Sequence, residues 1–461
     1  MYQAYITTIK NLRPHPNADR LDLGECFGNT VCVGHGDFVE GDLVVYFPTD
    51  GQLSEEFCAQ HNLVRRKDDA GNNIGGYLDP AKRNVKAISL RGEKSDGLVM
   101  PLKSLEYTGV DIHSLEVGFC FTAVNGKEIC CKYIPRRPNC AAAGGANRTR
   151  KKKVPTAPLF AEHADTEQLA YNLSAFRPGD EIEITLKMHG TSQRTGYLPV
   201  LQGYRRTIWD RLFRREGEPI YDYGYVSGTR RTVLEDFDGG YYGSNEFRET
   251  HSKQFEGKLW KGETVYYEVV GFTTSGTPIM GDGSNEKLGK DFVKQYGKTT
   301  TFSYGCTPQA TPALIKAPEM TQVLPATPQS DCYVYRMTMT NPDGQVVEYT
   351  PDFMRYRCEQ MGIKTVPVFT HMIIDYAPNI PEGTDKIGEM VKAIAEAYYD
   401  GPDPVGKTHV REGVVVRIVN RPKFTAFKHK NFAFKLIEGI VKDTAEAPDM
   451  EEAQEEEKEN A

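Results

Sequence analysis

The sequence has no apolar run long enough to cross a bilayer, and its opening stretch, MYQAYITTIKNLRPHPNADR, lacks the charged-then-apolar layout of a secretory signal. The expectation is a cytoplasmic chain with no membrane span. Paired C-x-x-C arrangements are missing as well: the ten cysteines lie singly, apart from Cys130 and Cys131. That scatter suits reduced thiols rather than a disulfide framework and speaks against a cysteine-held zinc ion. No second histidine stands at a ligand spacing near His189, so His189 is not read as a metal ligand. No repeat of fixed period appears.

What is present is ordinary globular composition, with 39% hydrophobic and 26% charged residues over 461 positions. A chain of this length should divide into two or three units. The net charge of -7 misleads, because the stretch 443–461 holds nine acids against one lysine. Without that tail the chain is close to neutral, which leaves room for local basic patches facing a polyanion. The tail reads as solvated chain.

From Tyr2 to Lys132 short alternating segments (AYITTIKNL, DLGECF, TVCVGH, DLVVYFP, VKAISL, DGLVMPL) are separated by turn residues, which predicts a small all-β barrel over 1–132. The stretch from Lys132 to Lys153 carries eight basic residues and no acid around AAAGGA, so 133–158 reads as a basic flexible linker. It serves equally as a solvated connector or as a grip on phosphates. Beyond it, 159–442 alternates longer α and β segments. Strands are predicted at EIEITLKM, ETVYYEVVGF, CYVYRMTMT, VPVFTHMII and EGVVVRIV, and helices at TEQLAYNLSAF, PDFMRYRCEQM and DKIGEMVKAIAEAYY. In the last helix Ile387, Met390, Val391, Ile394 and Ala397 make one apolar stripe for the core.

Lys187 ends a β-branched alternating run and is followed by a glycine and two hydroxyl residues. A lysine near its reference pKa of roughly 10.4 is protonated and no nucleophile, so a catalytic lysine belongs beside other cations that tune it. Lys428 and Lys430 alternate with His429 and so share a strand face. Alone, that K-x-K reads as a solvated strand edge. Glu268 lies inside an apolar strand and Glu412 opens another; a carboxylate in such a run is costly unless paired, hydrogen-bonded or near a metal. One candidate nucleophile, two cations and two acids on successive strands suit phosphoryl chemistry.

In order along the chain, KMHGTS, YYEVVGF, YVYRM, REGVVVRI and FKHK resemble motifs I, III, IIIa, IV and V of the covalent nucleotidyltransferases, which comprise RNA ligases, DNA ligases and capping enzymes. Lysine-x-histidine-glycine-threonine is most similar to the RNA ligase 2 group. The resemblance implies a multidomain protein with an N-terminal OB-fold barrel and an α+β, ATP-grasp-like nucleotidyltransferase domain of antiparallel sheets flanked by helices. It also implies an ATP-dependent RNA ligase in RNA repair, with Mg²⁺ or Mn²⁺ as cofactor. Lys187 would take AMP from ATP, AMP would pass to a 5′-phosphate, and a 3′-hydroxyl would displace it; the partner is RNA with such ends, a nicked duplex included. Glu268 matches the ribose contact, Tyr335 the adenine-stacking ring, and Lys428 and Lys430 the phosphate-binding pair. Glu412 matches a metal contact, and Arg231 an arginine facing the nucleotide and RNA end, with Arg230 a near equal. His189 and Gly190 are motif residues at the nucleotide, where the glycine would let the backbone come close. Ser192 stands where asparagine is common, and Arg336 where aspartate is usual.

The first unit resembles the N-terminal OB module of the bacterial RNA ligase branch. DNA ligases and capping enzymes carry their OB domain after motif V, and too few residues separate Lys430 from the tail for one here. The competing readings are such a DNA-joining or capping enzyme, or a non-catalytic RNA-binding protein keeping the fold. YRRTIWDRLFRR mixes arginines with Tyr204, Trp209 and Phe213; it suits RNA stacking, or equally a helix packing Ile208, Trp209 and Leu212 inward.

Overall fold

Apolar and polar residues alternate in Glu181–Lys187, where Ile182, Ile184 and Leu186 are buried, Thr185 and Lys187 are half-buried, and Glu183 is buried in an ion pair with Arg355. This strand lies in the second of two compact units seen in a computed structural model of the chain. The structure describes residues 2–68, 70–71, 73–134, 155–213, 217–234, 237, 244–308, 314–317, 320–323, 327–375 and 386–444. Most of the basic linker and all but two residues of the acidic tail lie outside these, as do Arg214 and Arg215.

The first unit takes Met1–Pro135, Ser284–Phe292 and Phe432–Thr444. A four-stranded sheet, ordered Leu98–Pro101, Leu43–Phe47, Ala4–Thr8, Cys120–Phe121, and a three-stranded sheet, Lys10–Pro14, Leu21–Cys26, Asn29–Gly34, are its main layers. AYITTIKNL, read as one strand, is split between these sheets at Ile9, and Asn11, in the left-handed region at φ 53°, lies in the register shift between Lys10 and Arg13. Ile6, Val45, Phe47, Phe57 and Phe121 fill the core. The helix Phe432–Thr444 belongs to this unit, although the sequence reading ran the second unit through to 442: Lys435 pairs with buried Asp96 at 2.6 Å, and Lys94 lies 5.3 Å from the Phe432 ring centre.

The second unit takes Arg136–Gly283 and Val293–Asn431. It has two main sheets. One is five-stranded, ordered Glu167–Gln168, Thr425–Lys430, Gly413–Ile418, Glu181–Lys187, Val368–Ile373. The other is six-stranded, ordered Val233–Leu234, Glu218–Gly228, Thr191–Arg205, Glu263–Gly271, Ser330–Thr340, Val346–Glu348. Pairing is antiparallel in both, except that Glu167–Gln168 runs parallel to its neighbour. Only Met188, His189 and Gly190 separate Lys187 in the first sheet from Thr191 in the second.

Helices cover the sheets. Pro351–Met361 matches its predicted span: Thr350 accepts from the Phe353 N–H, Pro351 occupies the first turn, and Gly362 closes the helix in the left-handed region. Lys386–Tyr399 packs Val391 and Ala395 into the core beside Ile387, Met390 and Ile394. Ala397, expected in that stripe, is exposed; its place belongs to Ala395. The predicted helix TEQLAYNLSAF is instead the short strand Glu167–Gln168 followed by two 3₁₀ turns, Leu169–Tyr171 and Leu173–Ala175. Gln168 pairs with Lys428, so the sheet edge claims the segment that helical spacing suggested. No described helix is long and apolar enough to cross a membrane.

Candidate functional site

The three-residue crossing from sheet to sheet is the centre of the site. Lys187 Nζ lies 2.8 Å from Glu412 Oε1, and Lys430 Nζ lies 3.6 Å from the same oxygen. Antiparallel register explains the grouping: Lys187 pairs with Gly413, and Gly413 pairs with Lys430. Gly413 fits there because an added Cβ would fall against the backbone of His429 and 2.8 Å from the Lys430 Cα. Lys428 and Lys430 share the half-buried face of Thr425–Lys430, while Phe427 and His429 are buried on the other.

Glu412 is 1% exposed, and its second oxygen, Oε2, is buried with no hydrogen-bond partner. His189 Nδ1 stands 3.9 Å from Oε2, beyond hydrogen-bond range. An orphaned buried carboxylate oxygen is costly and asks for a cation. No cluster of three or more His, Cys, Asp or Glu occurs among the described residues. Glu412 alone therefore fits a hard divalent ion that takes most of its ligands from substrate phosphate and water, as Mg²⁺ does.

Across the crossing, the Gly190 N–H donates to Glu268 Oε1 at 3.1 Å. An added Cβ at Gly190 would meet the Val269 carbonyl oxygen and lie 2.8 Å from Val270 Cγ1. The sequence reading gave this glycine to close approach by a nucleotide; the close approach observed is to the strand Glu263–Gly271. Ser192 faces Glu268 across the ladder, and its Oγ lies 2.9 Å from the Tyr335 hydroxyl, so the departure from asparagine keeps a hydrogen bond. The Tyr335 ring meets His163 edge-on at 5.1 Å. Burial first, then Arg336, Arg230 and Arg194, hold the His163 imidazole well below its ordinary pKa. Arg336, where aspartate was expected, is buried in an ion pair with Glu348 and packs over Tyr266 at 4.5 Å. It is structural wall rather than part of the Lys187 cluster.

Arg231 pairs with Asp165 at 2.7 Å, and Arg230 reaches the same carboxylate at 3.5 Å. Neither is joined directly to the Lys187 group by these bonds. The carboxylate serves both arginines.

Sequence reasoning did not find the layer behind His189. The His189 N–H donates to the Tyr304 hydroxyl oxygen at 2.6 Å, and its ring meets Phe302 edge-on at 4.6 Å. Buried His409 lies behind both, 5.2 Å from Phe302 and 4.5 Å from Tyr304 between ring centres. Gly406 closes against the Tyr304–Gly305 backbone, where a Cβ would be 2.9 Å from the Tyr304 carbonyl carbon. Burial raises the Tyr304 phenol well above its ordinary pKa, pushes Asp403 up to about 7 and takes His409 down to about 4. Arg248 is likewise missed; buried, it donates to the Ser192 carbonyl at 3.1 Å and to Thr191 Oγ1, fixing the start of the second sheet.

A family model described as an OB-fold domain matches residues 3–102. No curated protein sequence matches. Among solved structures, a glutamate-to-alanine variant of Naegleria gruberi RNA ligase with ATP and Mn aligns over 94% of this chain and 98% of its own, at 15% identity and TM-score 0.52. A lysine-to-methionine variant of that ligase with AMP and Mn aligns over the same shares at 15% identity and TM-score 0.51. The same protein with PPi aligns over 94% and 97%, at 17% identity and TM-score 0.50. Identities this low show the fold alone. The chain is thus multidomain, with an N-terminal OB-fold unit and an RNA ligase-like fold along nearly its whole length.

Proposed function

We propose that this chain is an ATP-dependent RNA ligase that seals 3′-hydroxyl and 5′-phosphate ends through a lysyl-AMP intermediate, in RNA repair. The observation that carries the reading is the meeting of Lys187, Glu412 and Lys430 at one point, within three residues of the Gly190–Glu268 bond. A nucleophile, a cation for phosphate, a half-satisfied carboxylate for metal and a carboxylate for ribose are what adenylate transfer requires.

Attack requires the neutral amine. The Lys187 proton leaves through Glu412 Oε1 or through the solvent that its 23% exposed side chain reaches. Nζ then bonds to the α-phosphorus of ATP, and pyrophosphate departs. Lys430 and Lys428 neutralise phosphate charge. A divalent ion, Mg²⁺ or Mn²⁺, held by Glu412 Oε2 would neutralise charge on the same phosphates. Glu268, which accepts from the Gly190 N–H through Oε1, would receive a ribose hydroxyl, and the Tyr335 ring stacks on adenine. In the next step an RNA 5′-phosphate oxygen attacks the lysyl-AMP phosphorus and Lys187 leaves as the amine. In the last, a 3′-hydroxyl attacks the RNA phosphorus and AMP departs. Arg231 serves the RNA end once Asp165 releases it.

The test is incubation with α-labelled ATP or GTP and Mn²⁺ or Mg²⁺, without RNA. Protein-bound label from ATP supports the ligase. Preference for GTP would move the reading to capping, and absence of any adduct would leave an RNA-binding protein.

A further inference from the structure

The strand Thr191–Arg205 is 15 residues long and starts at the site. At roughly 3.3 Å per residue it carries the chain up to about 50 Å away, pairing with Glu218–Gly228 along the way. At its far end is the short helix Ile208–Leu212, capped by a reciprocal bond between Thr207 and Asp210. Its apolar side chains face outward: Ile208 is 83% exposed, Trp209 and Leu212 68%, and the adjoining Phe213 60%. That removes the core-packing alternative for this segment.

Trp209 and Phe213 stack with nearly parallel planes, 12° apart, and centroids 6.0 Å apart. Arg205 and Arg206 are exposed immediately before the helix, and the sequence adds arginines at 211, 214 and 215 against acids at 210, 216 and 218. Of those acids, Asp210 is engaged in the cap and Glu218 lies opposite Arg205 in the ladder. A patch of four apolar side chains is far smaller than the 20 to 30 residues a side of about the usual protein interface. A five-residue helix also offers little to bury in a membrane surface. Exposed, nearly parallel rings beside guanidinium groups match unpaired bases and their phosphates.

Resting on the ligase reading of the Lys187 site, we propose that this hairpin tip is a second RNA contact, in which Trp209 and Phe213 stack on unpaired bases while Arg205 and Arg206 take the flanking phosphates. Its distance from Lys187 gives it RNA remote from the joined ends. It therefore governs affinity for strands long enough to reach it.

The protein has two tryptophans, so in a Trp260→Phe background emission reports Trp209 alone. Single-stranded RNA long enough to span about 50 Å is expected to quench that emission saturably. The Trp209→Ala/Phe213→Ala variant is expected to bind this RNA about tenfold or more weakly, and to bind a short RNA like the parent. Arg206→Gln should reduce the salt dependence of long-RNA binding by about 0.7 in log–log slope. Far-ultraviolet circular dichroism and the thermal midpoint verify folding of each variant. Equal long-RNA affinity in parent and double variant, or quenching by anionic phospholipid vesicles and not by RNA, would overturn the proposal. Self-labelling of the parent by ATP, measured in parallel, reports the ligase reading separately from the RNA result.

Discussion

The Gly190 N–H donates to Glu268 Oε1 at 3.1 Å, so the acid assigned to ribose also pins the crossing that follows Lys187. One bond thereby couples the position of the lysine to the strand that would hold the nucleoside.

Gly190→Ala follows directly. Its Cβ would press on the Val269 carbonyl, which is backbone and does not swing aside. The crossing must shift, at a cost of about 1–3 kcal/mol in stability, and adenylation should fall at least tenfold. Thermal unfolding and single-turnover labelling check this; a variant with parental stability and rate would contradict it.

Glu412→Gln keeps the shape at Lys187 and Lys430 but removes the charge that Oε2 offers a cation. Nucleotidyl transfer should drop about a hundredfold or more, and more Mn²⁺ should be needed to reach half-maximal rate. A metal titration of initial rates reads both. An unchanged metal requirement would remove Glu412 as the metal contact.

The layer behind His189 predicts an unusual pH profile. Asp403, with a pKa raised from 3.8 to about 7 by burial, keeps its proton in the fold; its contribution is full below the unfolded value and lost as pH rises to about 7. His409, lowered from 6.5 to about 4 by burial, does the reverse: its contribution is present above 6.5 and lost as pH falls. The two slopes oppose between about pH 4 and 6.5 and largely cancel. Asp403→Asn leaves the histidine slope, so urea stability should rise with pH across that window by up to about 1 kcal/mol per unit. A variant whose profile parallels the parent would contradict the assignment.

The strand-borne half of the site was legible because strands have a period. Lys428 and Lys430 could be placed on one face, and Glu268 and Glu412 stood out as carboxylates in apolar runs. Phe302, Tyr304, Asp403 and His409 come from irregular segments with no period, and only tertiary packing brings them to His189. The missed 3₁₀ turns have a local cause: Asn172, at φ -130°, interrupts the helical backbone and its side chain bonds the Gln168 carbonyl. Register sets Lys187 and Lys430 on either side of Gly413 and so beside the same oxygen of Glu412, a relation no linear spacing contains.

The most direct measurement is peptide mass mapping after the purified protein is incubated with ATP and Mn²⁺ and the pyrophosphate is removed. The account predicts one adenylyl group on the peptide containing Lys187, absent from Lys187→Ala. An unmodified peptide, or an adduct that persists in that variant, would contradict it.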